Sequence, residues 1–132
     1  MMDAGHGTRL ERPIRPLVAA HSGKSGVVAL SDGRDAFAVR ALLADAAERT
    51  LDVQYYIWHA DRSGRWLFEA LRRAADRGVR VRLLLDDNNT TGLDPILAAL
   101  DAHPRIEVRL FNPFKNRRWR AWGYLTDFPR LN

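Results

Sequence analysis

The residues able to meet a substrate fall into clusters, each placed just after an apolar run. Trp58 and His59 close LDVQYYIWH, Asp86, Asp87, Asn88 and Asn89 follow VRVRLLL, and Asn112 follows IEVRLF. An imidazole, carboxylates and amides brought together would make a rim for a polar or phosphate-bearing substrate. Each also has a purely structural use. DDNNT is ordinary turn chemistry, because Asp and Asn bond their own backbone and cap helices. His59 suits an exposed loop. Adjacent side chains on an extended strand end point to opposite faces, so at most one of Asp86 and Asp87 can line a given pocket. A fourth cluster is cationic: Lys115, Arg117, Arg118 and Arg120 stand among Trp119, Trp122, Tyr124 and Phe128. Residues 112–132 hold five basic side chains and one acidic, against 16 basic and 15 acidic in residues 1–111, so most of the net charge of +5 lies in this closing stretch. It is the candidate surface for phosphate or anionic lipid.

Several chemistries are excluded. With no cysteine there is neither a disulfide framework nor a thiolate metal site. The histidines His6, His21, His59 and His103 are scattered and form no HExxH pair, so no metal or cofactor is expected. There is no GxSxG elbow, P-loop or GxGxxG, and no Ser–His–Asp set. No apolar run approaches the roughly 20 residues of a spanning helix, which places the chain in the cytoplasm and at most peripheral to a membrane. By its own residues the chain shows a rim but no chemical engine.

The elements that must position this rim can be read from spacing. Residues 1–26 mix Gly, Pro, His and isolated charges without a period, and read as a poorly ordered leader to a domain over 27–132. Residues 27–30, VVAL, read as a short edge strand. Asp32 offers a cap to a helix over residues 34–49, and Ser63 offers one to a helix carrying Leu67, Ala70, Leu71 and Ala74, which Gly78 closes. Asp94 and Pro95 open a third helix that Pro104 stops. Between the helices, residues 51–58, 79–87 and 106–111 alternate or run apolar and are rich in β-branched and aromatic side chains, as strands are. The apolar end of the second suits a buried parallel strand. Strand–helix–strand–helix–strand at crossover spacing predicts an α/β fold with a parallel or mixed sheet flanked by helices. In such a sheet ligands bind past the carboxyl ends of the strands, where the clusters lie.

The long run TLDVQYYIWHADRSGRWLFEALRRAADRGVRVRLLLDDNN, continued by LDAHPRIEVRLFNPFKNRR and LTDFPRLN, resembles the N-terminal part of the phospholipase D superfamily, in its bacterial cardiolipin-synthase-like branch. The resemblance spans residues 25–132 and rests on the collinear run, not on one motif. It implies a metal-independent phosphodiester exchange on phosphatidylglycerol-type lipids, with one histidine forming a phosphohistidine and lysines holding the phosphoryl oxygens. The family signature is His-x-Lys-x4-Asp. Here the second residue after each histidine is Thr8, Gly23, Asp61 or Arg105, so no residue of this chain inherits a catalytic role. The resemblance implies a fragment that stops just before the first signature and is inactive alone, with the catalytic half and an anionic membrane as its partners. Two alternatives stay open. One is a nuclease segment of the same superfamily, its basic end on nucleic acid; the other is a non-enzymatic α/β module that binds through that end.

Overall fold

Period-two alternation becomes three strands, and the helical periods between them become the helices that cover one side of the sheet. In a computed structural model that describes residues 7–114, the order is α1 (Glu11–Ala20), α2 (Gly33–Ala46), β1 (Thr50–Tyr55), α3 (Arg62–Asp76), β2 (Arg80–Asp86), a 3-10 turn (Asp87–Asn89), α4 (Asp94–Asp101) and β3 (Ile106–Phe111). Local chemistry sets the boundaries. Asp32 Oδ1 accepts from the amides of Arg34 (2.8 Å) and Asp35 (3.2 Å) and so starts α2. Gly78, at φ +97°, takes the left-handed turn that ends α3. Pro95 lies in the first turn of α4.

Two details differ from the spacing argument. The cap of α3 is Asp61, whose carboxylate accepts from the Gly64 amide at 2.8 Å, while Ser63 sits inside the first turn and donates to that carboxylate at 2.7 Å. A carboxylate is the stronger acceptor at a helix start, where the dipole also favours negative charge. Residues 27–30 form no strand; Val27 and Val28 are 90% and 85% exposed. Four apolar residues without a neighbouring strand have no ladder to join. Helix α1 lies within the stretch read as a leader, and none of its residues is buried.

The strands run parallel in the order β1-β2-β3. Both crossovers step the same way, so right-handed connections put α3 and α4 on one face, and α2 packs beside α3. That face carries the core. Val81 pairs with Leu51 and Ile106, Leu83 with Val53 and Val108, and Leu85 with Tyr55 and Leu110. Leu67, Leu71 and Ala74 of α3 and Leu97 and Leu100 of α4 close over them. The opposite face is a charge ladder. Asp52, Arg82 and Glu107 stand in register across the three strands; Arg82 grips Asp52 through two bonds of 2.5 and 2.7 Å, and Arg109 reaches Glu107 at 2.7 Å. The end of β2 is therefore buried on one side only, with Leu83 and Leu85 inside and Leu84 half-exposed on the ladder face.

The Arg82 hydrogen bonds hold the Asp52 carboxyl below its usual range, against a smaller opposing effect of desolvation. A carboxylate depressed on folding contributes stability above its unfolded value and loses it as pH falls through the folded one. Urea unfolding of Arg82→Met at stepped pH should therefore show a flatter acid limb than the parent. An unchanged limb would mean that this exposed pair contributes nothing, as many do.

Candidate functional site

Three loops leave the carboxyl ends of the strands and are tied to one another by side chains. The tie at the centre is Asp87. This residue is fully buried, and its carboxylate accepts the Thr90 hydroxyl at 2.6 Å and the Phe114 amide at 2.9 Å. The first bond closes the turn after β2; the second fastens the chain leaving β3 to it. Asn112 makes the bend before Phe114 at φ +48°, a left-handed conformation that asparagine tolerates better than most residues. On the other side, the Asn89 amide donates to the Tyr56 carbonyl at 3.2 Å and ties the turn to the loop after β1. Asp86, half-buried, accepts the Asn88 amide at 2.9 Å and caps the 3-10 turn.

The structure thus divides the sequence candidates by role. Trp58 turns inward: its ring is 5% exposed, stacks on Phe68 with centroids 4.4 Å apart, and meets the Tyr55 ring in an edge contact at 4.7 Å. Asp87 also points inward, while Asp86 stays at the surface of the turn. His59 is exposed and lines a cleft of about 170 Å³ between the starts of α2 and α3, with Phe37, Arg40 and Asp61. Asn112 is half-buried at the end of β3. Lys115, Arg117, Arg118 and Arg120 lie outside the described residues.

Two residues that spacing alone did not single out shape this end of the molecule. A Cβ on Gly64 would collide with the His59 carbonyl oxygen and come within 2.9 Å of Trp58 Nε1, so only glycine lets α3 approach the His59 loop this closely. Trp58 Nε1 is buried there without a hydrogen-bond partner. Asp61, the cap, is held below the ordinary carboxylate range first by the Gly64 amide and then by the Ser63 hydroxyl. It therefore stays ionised beside His59. This arrangement offers donors and acceptors to a polar ligand but pairs no nucleophile with a base. Among the described residues no group of three His, Cys, Asp or Glu side chains is placed to hold a metal ion, and no helix is long and apolar enough to cross a membrane.

A parallel sheet with flanking helices is consistent with the fold that the phospholipase D resemblance implies, and the sequence comparison agrees. Residues 40–124 match the family described as "Cardiolipin synthase, PLD-like domain", and the chain belongs to that family. Among curated proteins it is similar to cardiolipin synthase C of Escherichia coli, with 64% identity over 124 residues, covering 94% of this chain and 26% of that protein. It is also similar to the major cardiolipin synthase ClsA of Bacillus subtilis, with 38% identity over 71 residues, covering 52% of this chain and 14% of that protein. The chain thus spans about a quarter of the length of its E. coli relative. Among solved structures it resembles TrmBL2, an archaeal chromatin protein with a novel mode of DNA binding, at a TM-score of 0.54 and 19% identity over 80% of this chain and 42% of that one. At that identity the likeness carries the fold alone.

Two substitutions test how the rim is held. Asp87→Ala leaves the Phe114 amide and the Thr90 hydroxyl without the carboxylate and should cost about 1–3 kcal/mol, with faster hydrogen exchange at Phe114. Gly64→Ala forces α3 away from the His59 loop and should cost about 3 kcal/mol, as overpacking does. A Gly64→Ala protein as stable as the parent in urea would show that this approach is not tight.

Proposed function

We propose that this chain is the front scaffold of a phospholipase D-like phosphatidyltransferase acting on phosphatidylglycerol-type lipids. It supplies the strand-end rim, and the reacting His and Lys groups come from sequence outside it. The observation that carries this reading is a contrast. A match covering 94% of the chain at 64% identity to a cardiolipin synthase stands beside the complete absence of His-x-Lys-x4-Asp. A segment that matches such an enzyme along its length yet holds no catalytic groups suits a positioning role.

In this reading the rim residues bind and orient. His59, Asp86 and Asn112 sit where a lipid phosphate or the hydroxyl of an incoming alcohol would reach the sheet, and Asp87 keeps the exits of β2 and β3 at a fixed separation. Attack on phosphorus and protonation of the leaving alcohol fall to the absent histidines. A nucleic-acid substrate has only the basic closing stretch in its favour, whereas the long match runs to the lipid enzymes. The protein would work at the membrane surface, without a cofactor.

Two measurements test the proposal. The 132-residue chain incubated with phosphatidylglycerol vesicles should form no cardiolipin above background; turnover by the pure chain would refute the scaffold role. Exchanging the matching segment of the E. coli relative for this chain should keep cardiolipin formation within about tenfold of that parent, and a folded but dead chimera would count equally against it.

A further inference from the structure

Six of the twelve large apolar side chains exposed among the described residues lie within residues 14–30: Ile14 (51%), Leu17 (64%), Val18 (57%), Val27 (90%), Val28 (85%) and Leu30 (45%). We propose that α1 and the extended segment after it form a docking surface for an anionic phospholipid bilayer. This surface is separate from the strand-end rim.

The helix has the form such a surface needs. Ile14, Leu17 and Val18 recur at i, i+3 and i+4 and share one face of α1, no residue of which is buried. Leu10, just before the helix, is half-buried beside Leu42 and Leu43. Along the segment itself the charge is mostly positive: Arg9, Arg12, Arg15 and Lys24 stand against Glu11, which Arg15 pairs through Nε and Oε1 at 2.5 Å, with Glu48 of the domain beside the Arg9 amide. Aliphatic side chains on one face and guanidinium groups around it match the acyl boundary and phosphates of an anionic interface. At ten residues the helix is far too short to span a bilayer and lies along it instead.

The attachment of α1 to the domain suits this use. The Arg9 amide donates to Glu48 Oε2 at 2.8 Å, which anchors the helix near the base of β1. From there the chain returns to the start of α2, where Phe37 lines the His59 cleft. The exposed apolar segment therefore starts near the base of the sheet and ends near its rim. A bilayer held against that flank would lie next to the rim that the proposed lipid chemistry requires. The inference rests on the lipid reading of the family and adds the surface through which the chain meets its substrate.

The test is flotation of the full chain with vesicles of phosphatidylglycerol and phosphatidylcholine, compared with phosphatidylcholine alone. Parent protein should float with the anionic vesicles, less so at high salt. Leu17→Asp with Val18→Asp should lower binding at least tenfold with an unchanged circular dichroism spectrum. Arg117→Gln with Arg118→Gln, which strips charge from the closing stretch that the sequence offers as a rival surface for anionic lipid, should retain most of it. Binding that survives the α1 change overturns the proposal. So does a loss of flotation that follows only the closing-stretch change. A parent that does not bind, whose self-association the α1 change abolishes, means that a second copy covers the face and likewise overturns it. The chimera with the E. coli relative separates the two claims. If it makes cardiolipin while the α1 variant floats normally, the docking surface fails and the scaffold reading stands.

Discussion

Everything in this molecule follows from two crossovers that step in the same direction across a parallel sheet. A right-handed connection has only one side on which to place its helix. Because β1, β2 and β3 lie in sequence order, α3 and α4 must share a face, and α2 has room beside them only at the β1 edge. The burial pattern obeys this. Val81, Leu83 and Leu85 are at most 1% exposed, while their neighbours Arg80 and Arg82 face solvent. Parallel sheets are usually covered on both sides; among the described residues helices cover one face only, and the strands alternate to set ions on the other.

The same geometry explains why the polar clusters converge. Parallel strands deliver all their exits to one end, so loops separated by dozens of residues become neighbours. Convergence alone does not make a rim, because each loop is free to move. Here one buried carboxylate serves two of the exits, and an amide-to-carbonyl bond links the third. Burying a carboxylate is costly unless it is well bonded. Asp87 meets that condition with a hydroxyl and a peptide N–H, which gives the position a reason to be aspartate that has nothing to do with catalysis.

The strands, the three helices between residues 33 and 101 and the parallel α/β class were legible in the sequence, because period and caps are local signals; the strand order was not. What could not be read was which member of each polar cluster turns inward. Alternation predicted that Asp86 and Asp87 part company but not which one would be buried; that depended on Phe114 returning 27 residues later. Trp58 was placed on the rim because it follows the end of a strand, yet Phe68 and Tyr55 offered it ring contacts in the core. Ser63 was read as the cap because serine is a usual capping residue, yet it lies one residue inside the first turn, and Asp61 takes the role. The edge strand at residues 27–30 failed for another reason: four apolar residues say nothing about whether a partner strand lies alongside.

The ladder of Asp52, Arg82 and Glu107 has a consequence for how the chain finds its fold. Hydrophobic alternation forbids a slip of one residue, since that would turn every strand inside out, but it is blind to a slip of two. The charges are not blind. Shifting β1 by two residues sets Thr50 or Gln54 beside Arg82 in place of Asp52, and a matching error in β3 removes Glu107 from the other side. The centre of the sheet then holds an arginine with no counter-ion on either flank. Three exposed side chains of little thermodynamic weight thus act as a vernier, distinguishing one alignment from its near copies while the strands are still choosing partners.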